Sequence, residues 1–283
     1  MKLTLGRDDL AAVALSAVQE SGTQAERVDV KPVHKASKGF VNDGAVDVCE
    51  LAIVTLLQAV ALDKPVTLLP ISTLTRAQHQ TLVTLGELSV DDIEGHSVGV
   101  RSWSQTTGVW VRGFLTEQYG VDLQKVDWVT YEGAHVDGVV DPSWVDRAAE
   151  GSKLPADFLA GKVDFGIMGN ELPDDPRIRT AIPDALAVAA EWSAAKGFSP
   201  VNHVIGLNPT AAKENPAAVL AAYDALAEVV GDRDAGFGAL RAPFTHAATY
   251  ALEQGVIARA VEFDELVDRT SSALGVDPSR LGA

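Results

Sequence analysis

The chain has 283 residues, 47% of them apolar and 22% charged, a balance that supports two lobes of roughly 100 to 150 residues around real hydrophobic cores. Its 39 Asp and Glu against 23 Lys and Arg leave a formal charge of −16, a field that repels phosphate backbones and anionic membranes and so excludes nucleic acid as the expected partner. A lone cysteine, Cys49, allows no internal disulfide, no CxxC or His-rich spacing offers a metal site, and the longest apolar stretch, Leu51 to Leu62, falls short of the roughly 20 residues of a membrane span.

Lys2 to Leu5 reads as a strand stopped at Gly6, followed by a helix over Asp9 to Gln19 whose Leu10, Val13, Ala14 and Val18 share one face. The first apolar run follows the acidic pair Asp8-Asp9 and shows no cleavage pattern, so the chain reads as a mature domain start and the expected location is cytoplasmic. Val28 to Val33 is expected as a second strand, Lys35 to Asn42 as a short helix, and Ala45 to Cys49 as a buried third strand leading into a helix over Leu51 to Leu62. Pro65 to Ile71 and Thr81 to Leu85 read as further strands.

A second unit opens with the strand His96 to Val100 and a helix from about Thr106 to Tyr119 closed by Gly120. The strand Val126 to Thr130, the short helix Leu154 to Ala160 and the strand Val163 to Met168 follow, and Gly169 to Pro183 reads as a loop. Pro200 to Leu207 is a strand leaving this unit; Asn215-Pro216 opens a helix over Ala217 to Val230, and the tail is helical over Tyr250 to Ala260 and Glu265 to Leu274. This alternation predicts an α/β protein of two hinged three-layer lobes with a cleft between them. Lobe 1 takes residues 1–95 plus 201–283, and residues 96–200 form lobe 2, inserted into it.

In open parallel sheets ligands lie beyond the carboxyl ends of the strands, so polar residues at those ends are the candidates. Arg7 and Asp8 follow the first strand, with Asp8 equally suited to cap the helix. Glu50 follows the third and is either a helix-terminal charge or a site carboxylate. Ser102, Ser104, Gln105, Thr106 and Thr107 stand at a helix start whose amides and dipole suit an anion, a plain Ser/Thr cap being the alternative. With no GxxxxGK[ST] and no GxGxxG, that anion is expected to be a small carboxylate rather than a nucleotide phosphate. His203, inside a strand, is a structural histidine or an acid, base or anion donor; His79, three residues after Arg76, is similar, and Arg76 and His79 can meet a carboxylate together. Trp103 can cover an aromatic ligand, Trp110 reads as core, His135 as an exposed loop residue, and His34 as able to reach the cleft. Neither GxSxG nor HExxH is present.

The stretch Gly99 to Leu115, continuing through Glu117-Gln118-Tyr119-Gly120-Val121-Asp122 and Asp127-Trp128-Val129, resembles the 4,5-dihydroxyphthalate decarboxylase family. Asp47 to Leu51 is similar to that family's DVSEM segment with Cys49 in place of Ser, as are Leu154 to Asp164 and Pro200 to His203 to two further segments, so that the resemblance runs over about residues 1 to 230. It implies a fold like that of the type II periplasmic binding proteins and the non-oxidative decarboxylation of a hydroxylated aromatic carboxylate, by a route that requires no organic cofactor; no metal ligands are assigned. Ser104, Gln105, Thr106 and Thr107 would then cradle the carboxylate with Arg76 or Arg7, Asp8 would be a further substrate-binding residue, and Trp103 would stack on the ring. His203, Glu50 and His79 would carry the acid and base roles. The alternative is a solute-binding protein or sensor that closes on a small carboxylate without reacting. The helices after about residue 235 are available either to cover lobe 1 or to pair subunits in a homo-oligomer.

Overall fold

In the computed structural model, which describes residues 1–169 and 172–283, the chain begins with β1 (Lys2–Thr4) and α1 (Asp8–Glu20). Leu10, Ala11, Ala14 and Val18 form the buried face of α1, and Asp8 and Asp9 sit at its positive end. β2 (Glu26–Arg27), α2 (Ser37–Asp43), β3 (Val48–Ala52), α3 (Ile53–Ala61) and β4 (Thr67–Thr75) follow. Next come β5 (Leu82–Thr84), β6 (Ser97–Val100), α4 (Thr106–Tyr119), β7 (Asp127–Thr130) and β8 (Asp146–Arg147). They are succeeded by α5 (Leu154–Leu159), β9 (Phe165–Ile167), β10 (Arg179–Thr180) and α6 (Ala185–Lys196). The chain closes with β11 (Val201–Leu207), α7 (Pro209–Glu214), α8 (Pro216–Val230), α9 (Phe237–Glu253) and α10 (Phe263–Leu274).

These strands make two mixed sheets. The first has the order β2-β1-β3-β11-β4, with β1, β2 and β3 parallel and β11 inserted antiparallel between β3 and β4. The second has the order β10-β5-β9-β6-β7-β8, parallel from β9 to β8 and antiparallel at β5 and β10. The chain therefore passes from the first sheet to the second after β4 and returns before β11, which is the connectivity of two α/β lobes with a cleft between them. The strands at the centres of both sheets, such as Val98 and Val100 of β6 and Val204, Ile205 and Leu207 of β11, are Val/Ile/Leu-rich and buried, as expected for sheets covered by helices on their faces.

The structure departs from the sequence expectations in several places, among them the short elements β8, β10 and α7, none of which was expected. Val28 to Val33 forms no strand, and the edge strand is instead Glu26–Arg27 just before it, since Asp29 and Lys31 remain exposed and Pro32 has no amide to donate. The third strand runs on to Ala52 because β11 pairs along it through Ala52, so Glu50 lies within the strand rather than after it. β5, assigned to lobe 1 by the boundary at 95/96, pairs with β9 and belongs to the second sheet. α6 was not foreseen; its Ala-rich sequence places apolar residues on both faces and blurs the helical period, although Ala185, Ala189 and Trp192 are buried. In the tail, α9 starts at Phe237 and runs through Pro243, then stops at Glu253, where Gly255 takes a positive φ of 66°. Asn170 and Glu171, inside the expected loop 169–183, lie outside the described residues. Among those residues, no helix is long and apolar enough to cross a membrane.

Candidate functional site

β3 and β11 create the chemical centre. In their antiparallel register His203 opposes Ala52 and Ile205 opposes Glu50, so Glu50 and His203 are diagonal neighbours on one face of the sheet. Register shifts between β11 and β4 fall on both sides of His203, an irregularity that re-aims its side chain. Glu50 Oε1 accepts from His203 Nδ1 at 2.7 Å, and its other oxygen, Oε2, accepts from the Gly6 amide at 2.8 Å. A Cβ at position 6 would stand 3.2 Å from that oxygen and 3.1 Å from Val33, so a glycine is what allows the amide its close approach. Burial pushes the Glu50 carboxyl up, but the His203 and Gly6 hydrogen bonds outweigh it and hold the group below its ordinary value. With Nδ1 engaged, Nε2 is the ring nitrogen of His203 available to a ligand.

His203 lines a cavity of about 280 Å³ between the two sheets. That size is at the lower end of small-molecule sites and suits a single ring, whereas a dinucleotide needs far more room. Ala52 and Thr55 at the start of α3 and Gln105, Thr106 and Thr107 at the start of α4 line the same space. Neither helix has a side-chain hydrogen bond from its N-cap residue, so two positive helix ends, whose first amides have no partner within the helix, meet there. The helices are tied together where the Val54 amide donates to Thr106 Oγ1 at 3.4 Å. Arg76, which follows β4, and Arg101, which follows β6, bring two guanidinium groups to the wall. Arg101 lies 3.8 Å from Glu132. Ser102 and Ser104 complete this side, Ser102 Oγ lying 3.1 Å from Ser104 Oγ and donating to the Gly133 carbonyl. A chain of charge −16 thus contains a pocket whose fixed charges and dipoles favour an anion. Among the described residues, no group of three or more His, Cys, Asp or Glu could hold a metal ion.

Of the residues expected at the site, His203, Ser104, Gln105, Thr106, Thr107 and Arg76 line the cavity. Glu50 stands behind His203 and is an orienting group, not a wall residue. Four others lie elsewhere. His79 is fully buried, stacked on Phe114 at 4.0 Å with Nε2 against Gln118, and burial lowers its pKa to about 4. Trp103 is core: its Nε1 donates to the Gln254 carbonyl and its ring lies 3.6 Å under the Arg112 guanidinium. Arg7 pairs with Asp9, and Asp8 with Arg27 at 2.7 Å, both at the half-exposed start of α1. The reason is shared: strand-end position was read from sequence, but the length of the following turn decides which way each side chain faces.

His135, expected as an exposed loop residue, lines the cavity and stacks on His34 at 6.1 Å with the rings 10° from parallel. Arg101 was missed although it directly follows β6, where the strand-end rule applied to it as it did to Arg76.

No protein-family model matches the chain. A 4,5-dihydroxyphthalate decarboxylase from Comamonas testosteroni is 25% identical over 192 residues, which are 60% of this chain and 56% of that protein. One from Pseudomonas putida is 24% identical over 169 residues, 54% of this chain and 65% of that protein. The chain thus matches between half and two thirds of the length of these curated relatives. A periplasmic sulfonate-binding protein from Methylobacillus flagellatus superposes with a TM-score of 0.52 at 11% identity, covering 98% of this chain and 95% of that one. The ligand-binding component of an ABC-type import system from Staphylococcus aureus, solved with zinc bound, gives 0.50 at 9% identity and covers 99% and 97%. In sequence, then, the chain is similar to the 4,5-dihydroxyphthalate decarboxylases that its own motifs resemble, and in structure it has the two-lobed fold of the type II periplasmic binding proteins.

Proposed function

We propose that this protein is a non-oxidative decarboxylase of a hydroxylated aromatic carboxylate of the 4,5-dihydroxyphthalate kind. The observation that carries the reading is the Glu50–His203 pair opening onto an anion-favouring, ring-sized cavity, in a chain similar to two decarboxylases of that substrate. The chemistry needs a group that moves a proton and a fixed cradle for carboxylate. The hydroxyl para to the leaving carboxylate gives its proton to water, which makes the ring electron-rich at the carboxylate-bearing carbon, and the phenolate left after CO2 departs takes a proton back from water. His203, through Nε2, delivers a proton to that carbon, the C–CO2 bond then breaks, and its electron pair returns to the ring as aromaticity is restored. The sum is one dicarboxylate and one proton giving one monocarboxylate and CO2. Glu50 fixes the imidazole and balances its charge while it carries the proton, and the α3 and α4 amides with Arg76 and Arg101 hold carboxylate.

The rival reading is binding of a small carboxylate without reaction, since helix ends and arginines bind anions whether or not chemistry follows. Incubating the protein with 4,5-dihydroxyphthalate and a panel of hydroxybenzoates, while following CO2 and the ring product, separates the two. Release of CO2 that disappears in His203→Ala supports the decarboxylase; saturable binding of these acids with no product in any of them would leave only the binding protein.

A further inference from the structure

His34 and His135 reach the cavity from opposite lobes. His34 sits in the turn Val33–Ala36 that leads from β2 to α2, and His135 in the segment after β7. Both residues line the cavity, and their stacked rings make no hydrogen bond to any described residue. The arrangement is built rather than incidental. Asn42 of α2 crosses between the lobes, its Nδ2 donating to the His135 carbonyl at 3.0 Å and its Oδ1 accepting from the Asp137 amide at 3.1 Å. Lys38, one turn earlier, lies 3.7 Å from the Asp137 carboxylate. A side chain that satisfies two backbone groups across the cleft seats His135 against His34.

The proposed reaction requires two separate polar functions in the cavity, one at the ring carbon and one at the ring hydroxyls. His203 can serve only one of them, and His79 is enclosed in the core. Resting on the decarboxylase reading, we propose that His34 and His135 form the hydroxyl-recognising side of the cavity: their imidazoles accept hydrogen bonds from the substrate's ring hydroxyls, and Asn42 is the positioning residue that holds His135 there. Both imidazoles are held neutral around pH 7 by burial first and by the nearby Arg101 charge, with Lys38 adding to it at His135, His203 at His34, and Glu132 opposing it at both. A neutral imidazole nitrogen can accept a phenolic proton, which an imidazolium cannot. The same pair would discriminate against aromatic acids that lack hydroxyls, because burying a ring edge against unfilled acceptors forfeits their hydration.

The test is calorimetric binding of 4,5-dihydroxyphthalate and of phthalate, which differ only in the two hydroxyls, to the full chain carrying His203→Ala so that no substrate is consumed, either otherwise wild type or with His34→Phe, His135→Phe or Asn42→Ala added. Phenylalanine keeps an aromatic ring for the stack, one atom larger, and removes the nitrogens. The otherwise wild-type chain should favour the hydroxylated acid by about tenfold or more, and each histidine variant should cut that ratio by about five- to tenfold, the worth of one ordinary hydrogen bond, with phthalate affinity within about twofold of that chain's. His135→Gln, which restores an acceptor, should recover part of the ratio, and Asn42→Ala should lose part of it. An unchanged ratio, or equal losses for both ligands, overturns the proposal while leaving the decarboxylase reading intact. Failure of the wild type to bind either acid would remove that reading and this proposal together.

Discussion

Replacing Glu50 by Gln is the perturbation whose consequences the structure defines most closely. The amide keeps an acceptor for the Gly6 amide but presents a neutral group to His203 Nδ1, where a carboxylate now accepts at 2.7 Å. A hydrogen bond to a charged partner contributes about 1.5–3 kcal/mol, and that interaction is needed most when the imidazole carries the proton bound for the ring. At about 1.4 kcal/mol per decade, kcat of the proposed decarboxylation should fall by roughly 10- to 150-fold. KM should change little, because Glu50 is 5% exposed, stands behind His203 and does not line the cavity. Stability carries a second signature. The folded protein holds the Glu50 carboxyl below its ordinary value, so its stabilisation is complete above the unfolded pKa and disappears as pH falls through the folded one. The gap in unfolding free energy between wild type and Glu50→Gln should therefore be open at neutral pH and close in acid. Steady-state kinetics of decarboxylation together with urea unfolding at several pH values measure both. A variant whose kcat stays within about twofold of wild type, or whose loss falls entirely on KM, would refute the orienting role.

Three further outcomes follow from where the other side chains lie. His79 is buried with its pKa lowered to about 4, so the unfolded chain takes up a proton between about pH 6.5 and 4 that the folded one does not. Stability should decline across that window by about 3 kcal/mol at most from this group, and His79→Phe should flatten the decline in urea titrations with kcat unaltered; a collapse of kcat would return His79 to the site. Trp103→Phe loses the hydrogen bond to the Gln254 carbonyl and weakens the stack beneath Arg112, so chemical denaturation should show a loss of about 1–3 kcal/mol with no change in substrate affinity, whereas a large rise in KM would put the indole back against the ligand. Gly113→Ala would set a methyl 2.2 Å from the Tyr250 ring where α4 packs on α9, and thermal unfolding should reveal a cost of about 1–3 kcal/mol; wild-type stability would mean that α9 is not seated on α4 as described.

Much of the architecture could be read from local pattern. α4 is the clearest instance: polar residues precede it, apolar residues fill its body, and Gly120 at φ 65° closes it, so both ends carried a chemical signal. β5 had an equally good strand pattern but no local mark of which sheet would claim it, since that depends on pairing with β9 some eighty positions away. At the site, His203 stood out because a polar residue inside an apolar strand needs a partner, and the partner proved to be Glu50 across the β3–β11 register. Trp103 and His79 carried the same kind of signal and are instead satisfied inside the core by Gln254 and Gln118, residues far from them in sequence. His135 was misjudged for the converse reason: its segment looks like a solvated loop until Asn42, 93 residues earlier, fastens it across the cleft.

In the proposed decarboxylation a proton enters the ring at the carbon that gives up CO2. Running 4,5-dihydroxyphthalate to completion in D2O with the purified protein and analysing the product by mass spectrometry and proton NMR addresses it directly. The account predicts 3,4-dihydroxybenzoate carrying one deuterium at the carbon that lost its carboxylate, with formation abolished in His203→Ala. Recovery of bound but chemically unchanged 4,5-dihydroxyphthalate, or of a product without deuterium at that carbon, would contradict it.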